Sequence, residues 1–308
     1  MNNPVKKFIA CRAVKLPQTA RTRSGIQYSP QESLWNFRDG IARLCLSFNL
    51  IPTTCAPLIH GIKCTAVWYL AHRAPSTVSN YFSGLVAFLK EVARERTEPI
   101  IQITPDDILA YKISSYKSQF VLAVIRPFLK QWAALGAPGI GEDVAKLLGQ
   151  LKLKQYPVGV AVATLDPEKG PFTDLEFEAI QVAINDAYAR KLMVTETFVL
   201  SYLFMAIGAR PNQFAAMKCC DLIAPNKGSI GDYVLNVPRA KQSDQLTRGE
   251  FAPRLIASQV GKAISRHIQE VQARFKGAMD AGQLPMFPQS RKTECSDAPG
   301  FEFHRTPS

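Results

Sequence analysis

The sequence predicts a mainly α-helical protein of two domains, with one small antiparallel β element late in the second. Three observations carry this. Apolar residues recur at helical spacing through much of residues 31–275, most clearly at Val78, Tyr81, Phe82, Leu85, Phe88, Leu89 and Val92. Two helix starts are complete, at Thr104-Pro105-Asp106-Asp107 and at Thr173-Asp174-Leu175-Glu176, where a hydroxyl caps and an acid follows within the first turn. Alternating β-rich chemistry is confined to Tyr233–Val237 and Phe251–Ile256.

The bulk properties set bounds on function. The chain has 308 residues, 47% of them hydrophobic, enough for two cores. Its net charge of +12 is uneven. Residues 1–160 hold 20 Lys and Arg against 9 Asp and Glu, a balance of +11, whereas residues 161–308 hold 17 against 16, a balance of +1. A basic first half joined to a near-neutral second suggests a polyanion-binding module, with nucleic acid the commonest such partner; solubility charge is the bland alternative. The seven cysteines form no C-x-x-C and fit no zinc spacing, which points to a reduced, cytoplasmic protein. No apolar run approaches the roughly 18 residues of a membrane span, and the N-terminus lacks an apolar signal core.

In chain order, residues 1–30 read as a basic arm. Lys6, Lys7, Arg12, Lys15, Arg21 and Arg23 meet no acid before residue 25, which suits a segment lying along a phosphate backbone or a terminus with no partner. Residues 31–155 read as a helical domain. Leu34, Phe37, Ile41, Leu44, Cys45 and Phe48 predict a first helix, and a shorter one covers Ile59 to Ala71. The helix opening at Pro75 carries Ser76, Ser79, Asn80, Ser83 and Lys90 opposite its apolar stripe, with Arg94 near its end. Small polar groups and cations suit contact with DNA phosphates, and an ordinary solvated face explains them equally. Ile103 and Ile108 form a staple around the Thr104 cap, and a further helix covers Gln119 to Leu135 with a kink at Pro127.

Residues 156–171, with Pro157, Gly159, Pro167, Gly170 and Pro171, read as the linker. Residues 172–308 form the second domain. It opens with a Thr173–Glu176 capping box and a Phe172–Phe177 staple, and its first helix runs to about Ala189. The next helix begins near Thr195 and ends at Gly208; another starts at Pro211 and ends near Asp221. Arg210 sits in the break. A guanidinium there can clamp a phosphate beside a helix N-terminus, or it can cap the preceding helix or pair with Asp221. The strands 233–237 and 251–256 are joined by a polar connection with Lys241 and Arg248 near its ends, and Ser258 caps a last helix. His72 and His267 lack companions for a metal site, and Trp35, Trp68 and Trp132 read as core.

From Phe172 to about Pro288 the chain resembles the catalytic domain of tyrosine recombinases, the phage integrase family. The family's first box, roughly G-x-R-x-x-E-x-x-x-L-x-x-x-D, is matched by Gly208, Arg210, Met217 and Asp221, with Gln213 in place of the acid. Lys241 and the run from Arg248 to Leu255 fit the family's lysine hairpin and following strand, and Leu284-Pro285-Met286-Phe287-Pro288 resembles the segment before its second box. The helical domain looks like the family's core-binding domain, with Pro75 to Lys90 its most recognisable helix. The resemblance implies a helical core-binding domain followed by a partial α+β catalytic domain.

It also implies a double-stranded DNA partner and cleavage through a 3′-phosphotyrosyl intermediate, with no metal and no nucleotide cofactor. Arg210 would stabilise the phosphorane charge and Lys241 would protonate the leaving 5′-oxygen, while Gln213 and Asp221 would hold Arg210. Lys6, Lys7, Arg12, Ser76, Ser79, Asn80, Lys90, Arg94 and Arg248 would contact DNA. The second box and the nucleophilic tyrosine would lie downstream of Pro288, and the sequence ends about 20 residues beyond it. His304-Arg305-Thr306 has the wrong internal spacing for that box. The expectation is therefore an integrase without the end of its active site, as a fragment or a truncated gene. A DNA-binding remnant that occupies recombination sites without cutting is the alternative, and an unrelated basic helical scaffold is the third. Self-association on DNA stays open.

Overall fold

The computed structural model describes residues 14–52, 55–154, 159–225, 232–239, 248–289 and 300–304. The fold is mainly helical with small antiparallel sheets. The chain divides into two compact units, Met1–Asn36 with Leu44–Tyr156, and Pro157–Ser308 with Phe37–Arg43.

The first unit begins earlier than residue 31. Strands β1 (Ala20–Arg21) and β2 (Gln27–Tyr28) pair antiparallel, and Ile26 and Tyr28 are buried. The helix expected over residues 34–48 is instead a pair of strands, β3 (Leu34–Asp39) and β4 (Ala42–Ser47), of which Phe37–Arg43 group with the second unit. Trp35, Phe37, Leu44 and Leu46 are buried while Leu34, Asn36 and Cys45 are exposed, which is the period of two. Gly40, with φ of 61°, is the first of the two loop residues, where a tight hairpin turn needs glycine.

Five helices complete this unit: α1 (Ala56–His72), α2 (Pro75–Arg94), α3 (Pro105–Ser114), α4 (Ser118–Ala134) and α5 (Glu142–Gln150). Helix α3 starts on the expected cap. Thr104 Oγ1 accepts from the Asp107 N–H at 3.3 Å, the Asp107 carboxylate accepts from the Thr104 N–H at 2.8 Å, and Ile103 and Ile108 are fully buried. Pro127 lies inside α4, and its carbonyl accepts from the Tyr69 hydroxyl at 2.9 Å. Lys63 is 8% exposed because its ammonium donates to the carbonyls of Gln31 and Glu32, at 2.9 and 2.7 Å, tying α1 to the segment before β3. Burial lowers its pKa.

Helices α1 and α4 meet across Gly61. A Cβ there would lie 2.0 Å from the Pro138 carbonyl oxygen and 2.4 Å from Trp132 Nε1, which itself donates to that carbonyl at 2.9 Å. Gly61→Ala is expected to cost about 1–3 kcal/mol by overpacking. Gly149→Ala, on the exposed face of α5 with nothing within 4 Å, is expected to gain about 0.5–1 kcal/mol from helix propensity. Denaturant midpoints of the two variants check the opposite signs.

The second unit contains α6 (Val160–Ala163), α7 (Asp174–Ala189), α8 (Thr195–Ile207), α9 (Pro211–Ala215), β5 (Leu222–Ile223), β6 (Tyr233–Pro238), β7 (Phe251–Ile256) and α10 (Ser258–Arg274). The Thr173–Glu176 capping box forms. The staple does not, because Phe172 is 68% exposed. The strand order is β5-β6-β7, and Leu235 stands opposite both Leu222 and Arg254. Val199 and Leu203 of α8, Phe214 of α9, Leu235 and Val237 of β6, and Ile264, Ile268 and Val271 of α10 form the core. Met217, Leu284, Met286 and Phe287 close it, so the apolar-Phe-Pro segment is packed inside this unit.

Candidate functional site

The Arg210 junction is built from the end of α8 and the start of α9. Gly208 takes the left-handed conformation, φ 61°, and its N–H bonds to the Phe204 carbonyl at 3.0 Å, which ends α8. Arg210 is extended, as a residue before proline prefers, and Pro211 opens α9. Gln213 fixes the corner twice. Its Oε1 accepts from the Arg210 N–H at 3.0 Å, and its Nε2 donates to the Pro238 carbonyl on β6 at 2.6 Å. Phe214 is buried against Phe204 with ring centroids 4.6 Å apart. The backbone under Arg210 is thus held by two strong local bonds and a packed ring. The Arg210 side chain is exposed, and its guanidinium makes no ion pair among the described residues. With five residues, α9 has little dipole of its own, so any attraction for an anion at this corner would come from the arginine.

Gln213 therefore holds the backbone of Arg210 and not its guanidinium. Its amide makes a bond to Pro238 that a carboxylate cannot make, which gives glutamine at this position a local structural reason.

Asp221 does not support Arg210 at all. Its carboxylate takes a bidentate pair from Arg248, at 2.5 and 2.8 Å, and also accepts from the Lys218 N–H at 2.7 Å. Arg248 Nη1 donates further to the Ala216 carbonyl at the C-terminal end of α9, at 2.8 Å. Asp221 is buried at 5% exposed, and Arg248 is largely covered at 14%. Arg248, expected to contact DNA, is instead spent on internal bonds, and its left-handed backbone, φ 70°, orients it inward ahead of β7.

Next to this pair lies a residue that sequence reasoning passed over. Lys218 is 7% exposed, donates to Gln283 Oε1 at 2.8 Å, and has its pKa lowered first by burial and then by Arg248. The one signal for it is the acid three residues on, which forms a capping turn over residues 218–221. Burial also raises both neighbouring thiols, that of Cys219 to about 12.

His304 closes the cluster. It is fully buried, bridges to Pro288, and its Nε2 has no hydrogen-bond partner. Burial pushes its pKa down to about 4, with Lys218 and Arg248 pushing the same way. The folded state therefore resists a proton that the unfolded chain takes up at about 6.5. Stability is full above pH 6.5 and falls as pH drops from 6.5 to 4, by up to about 3 kcal/mol from this group. Urea midpoints between pH 4 and 7 check this, and His304→Gln is expected to flatten that slope.

The polar face of α2 is where the sequence puts it. Ser76, Asn80, Ser83, Lys90 and Arg94 are exposed and Ser79 is half-buried, while Val78, Phe82, Leu85 and Leu89 are buried. Arg94 pairs with Glu91 at 2.8 Å, but with Arg94 77% exposed the pair is weak and exchangeable. Lys6, Lys7, Arg12 and Lys241 lie outside the described residues. His267 Nε2 donates to the Met286 carbonyl at 2.7 Å and stacks on Phe287, a core role. Trp132 and Trp35 are buried, Trp35 on a strand. No group of metal-ligating side chains occurs among the described residues, and no helix among them is long and apolar enough to cross a membrane. No family model matches the chain, and no curated protein is significantly similar to it.

Proposed function

We propose that the chain is a duplex-DNA-binding protein of the tyrosine recombinase type, with a helical core-binding unit and a second unit carrying part of a recombinase site. In this reading Arg210 clamps a DNA phosphate and α2 lays its hydroxyl, amide and lysine face along the backbone. The single observation that carries it is the state of Arg210. Arg210 is exposed and in no ion pair among the described residues, as are Arg254, Lys262 and Arg266, but it alone of these stands at a helix junction whose backbone Gln213 and Phe214 hold in place. A rigid backbone under an unpaired cation is what phosphate recognition needs, because little order remains to be imposed on binding. The basic balance of the first unit supports the same partner.

The test is direct. Fluorescence anisotropy of a labelled duplex at low salt is expected to show binding by the full chain, weakened about tenfold and uniformly across sequences by Arg210→Ala. Absence of duplex binding overturns the reading. The alternative of a protein that occupies sites without cutting them shares every contact named above. A nicked suicide duplex separates the two, since a covalent adduct appears only if the chain cleaves.

A further inference from the structure

A small hollow lies between the end of α2 and one side of α3, wholly within the first unit. Its volume is about 210 Å³, below the roughly 300–1,000 Å³ of pockets for drug-sized ligands, so its guest must be small. Although this half of the chain is strongly basic, four of the nine residues lining the hollow are acids and one is basic. The basic one is already used. The Arg96 guanidinium is committed to Asp107 at 2.5 Å, and Asp107 also closes the Thr104 cap. Three carboxylates remain. Glu95 and Asp106 are exposed and form no ion pair among the described residues, and Glu91 meets only Arg94, itself 77% exposed. The negative end of the 20-residue α2 points the same way, toward a cation.

A neutral group in the lining also points to a guest. Tyr111 is only 8% exposed, yet its hydroxyl has no hydrogen-bond partner among the described residues. A hydroxyl so nearly buried is costly to leave unpaired. Its ring is fixed edge-on against Phe88, with centroids 5.0 Å apart. Burial, and then the charge of Glu91, raises its pKa, so the phenol stays neutral and its oxygen is free to accept. The layout selects the guest. No group of metal-ligating side chains converges on one point among the described residues, so acids spread around a hollow suit donors spread along a chain. Buried Val92 and Ala110 supply apolar surface for methylenes between those donors. We propose that this hollow binds a short aliphatic diammonium ion. The α2-side carboxylates Glu91 and Glu95 hold one ammonium, Asp106 of α3 holds the other, and the Tyr111 hydroxyl accepts from one of them. The site does not depend on the DNA reading above.

Equilibrium dialysis of the full chain against radiolabelled putrescine, without nucleic acid and at low salt, tests this. One saturable site per chain is expected, weakened by added salt. Tyr111→Phe, Glu95→Gln and Asp106→Asn should each weaken it about tenfold, the scale of a hydrogen bond to a charged group, with the circular dichroism unchanged. Glu98→Gln removes an exposed acid outside the hollow and should leave binding as it was. The amide of Nα-acetyl-lysine, which offers a single ammonium, should compete at least about tenfold more weakly than putrescine. Equal competition means the hollow takes one ammonium, such as a lysine side chain, and overturns the two-ended guest. Magnesium chloride should displace putrescine no better than sodium chloride at the same ionic strength. Preferential displacement by magnesium makes the hollow a metal site and overturns the proposal. So does the absence of saturable binding, or binding that the Tyr111, Glu95 and Asp106 variants all leave unchanged.

Discussion

Asp221→Ala is expected to destabilise the second unit by about 3–5 kcal/mol, the range for removing one partner of a buried ion pair. Arg248 would be left 14% exposed with its charge uncompensated and with Lys218 nearby. The Lys218 N–H would lose its acceptor as well. The damage would reach α9, because the same guanidinium that grips Asp221 also holds the Ala216 carbonyl. The size of the effect comes from the orphaned charge and not from the worth of the pair, and the double variant shows this. Asp221→Leu with Arg248→Met removes both charges, fills similar volume, and is expected to recover most of the loss. Urea denaturation of the two single variants and the double variant gives the coupling. A cost below about 1 kcal/mol for Asp221→Ala would mean the pair is solvated. The consequence for function is indirect: the junction under Arg210 should soften, so DNA affinity should fall in Asp221→Ala and return in the double variant.

How far the sequence reveals this arrangement depends on the range of the forces involved. The Gly208–Pro211 break and the Thr104 and Thr173 caps are legible because each follows from residues within a few positions of one another, and strands β6 and β7 because each carries its own local β-rich alternation. The hairpin of β3 and β4 is not. Leu34, Phe37, Ile41, Leu44 and Phe48 satisfy helical spacing, while Trp35, Phe37, Leu44 and Leu46 satisfy alternation across the Gly40 turn, and both patterns coexist over so short a span. Burial decides between them, and the burial of Trp35 against Phe48, 4.9 Å between rings, needs tertiary structure. The partner of Asp221 is invisible for a similar reason. Arg210 and Arg248 are equally plausible from composition, and only the pairing of β6 with β7 brings position 248 back beside position 221. Gln213 looks like a defect in a motif until its amide is seen on the Pro238 carbonyl.

If the chain binds duplex DNA as proposed, its affinity should fall about a thousandfold between 50 and 200 mM salt with about six cations on phosphates, because each neutralised phosphate releases condensed counterions and adds about 0.9 to the slope. The structure says which cations can count. Lys90 is exposed on the polar face of α2, so Lys90→Ala should lower the slope by about one and weaken binding evenly across sequences. Arg94 should behave alike but more weakly, because it must first leave Glu91. Lys63 belongs to the same unit and carries the same formal charge, yet its ammonium is committed to the Gln31 and Glu32 carbonyls. Lys63→Met should therefore cost stability and leave the slope unchanged once the folded fraction is accounted for. Arg248→Met should likewise leave the slope intact, against the expectation from sequence. Anisotropy titrations of these four variants at five salt concentrations distinguish a phosphate-facing surface from charge that serves only solubility. In the second case Lys90→Ala changes nothing, and the DNA-binding role assigned to α2 fails.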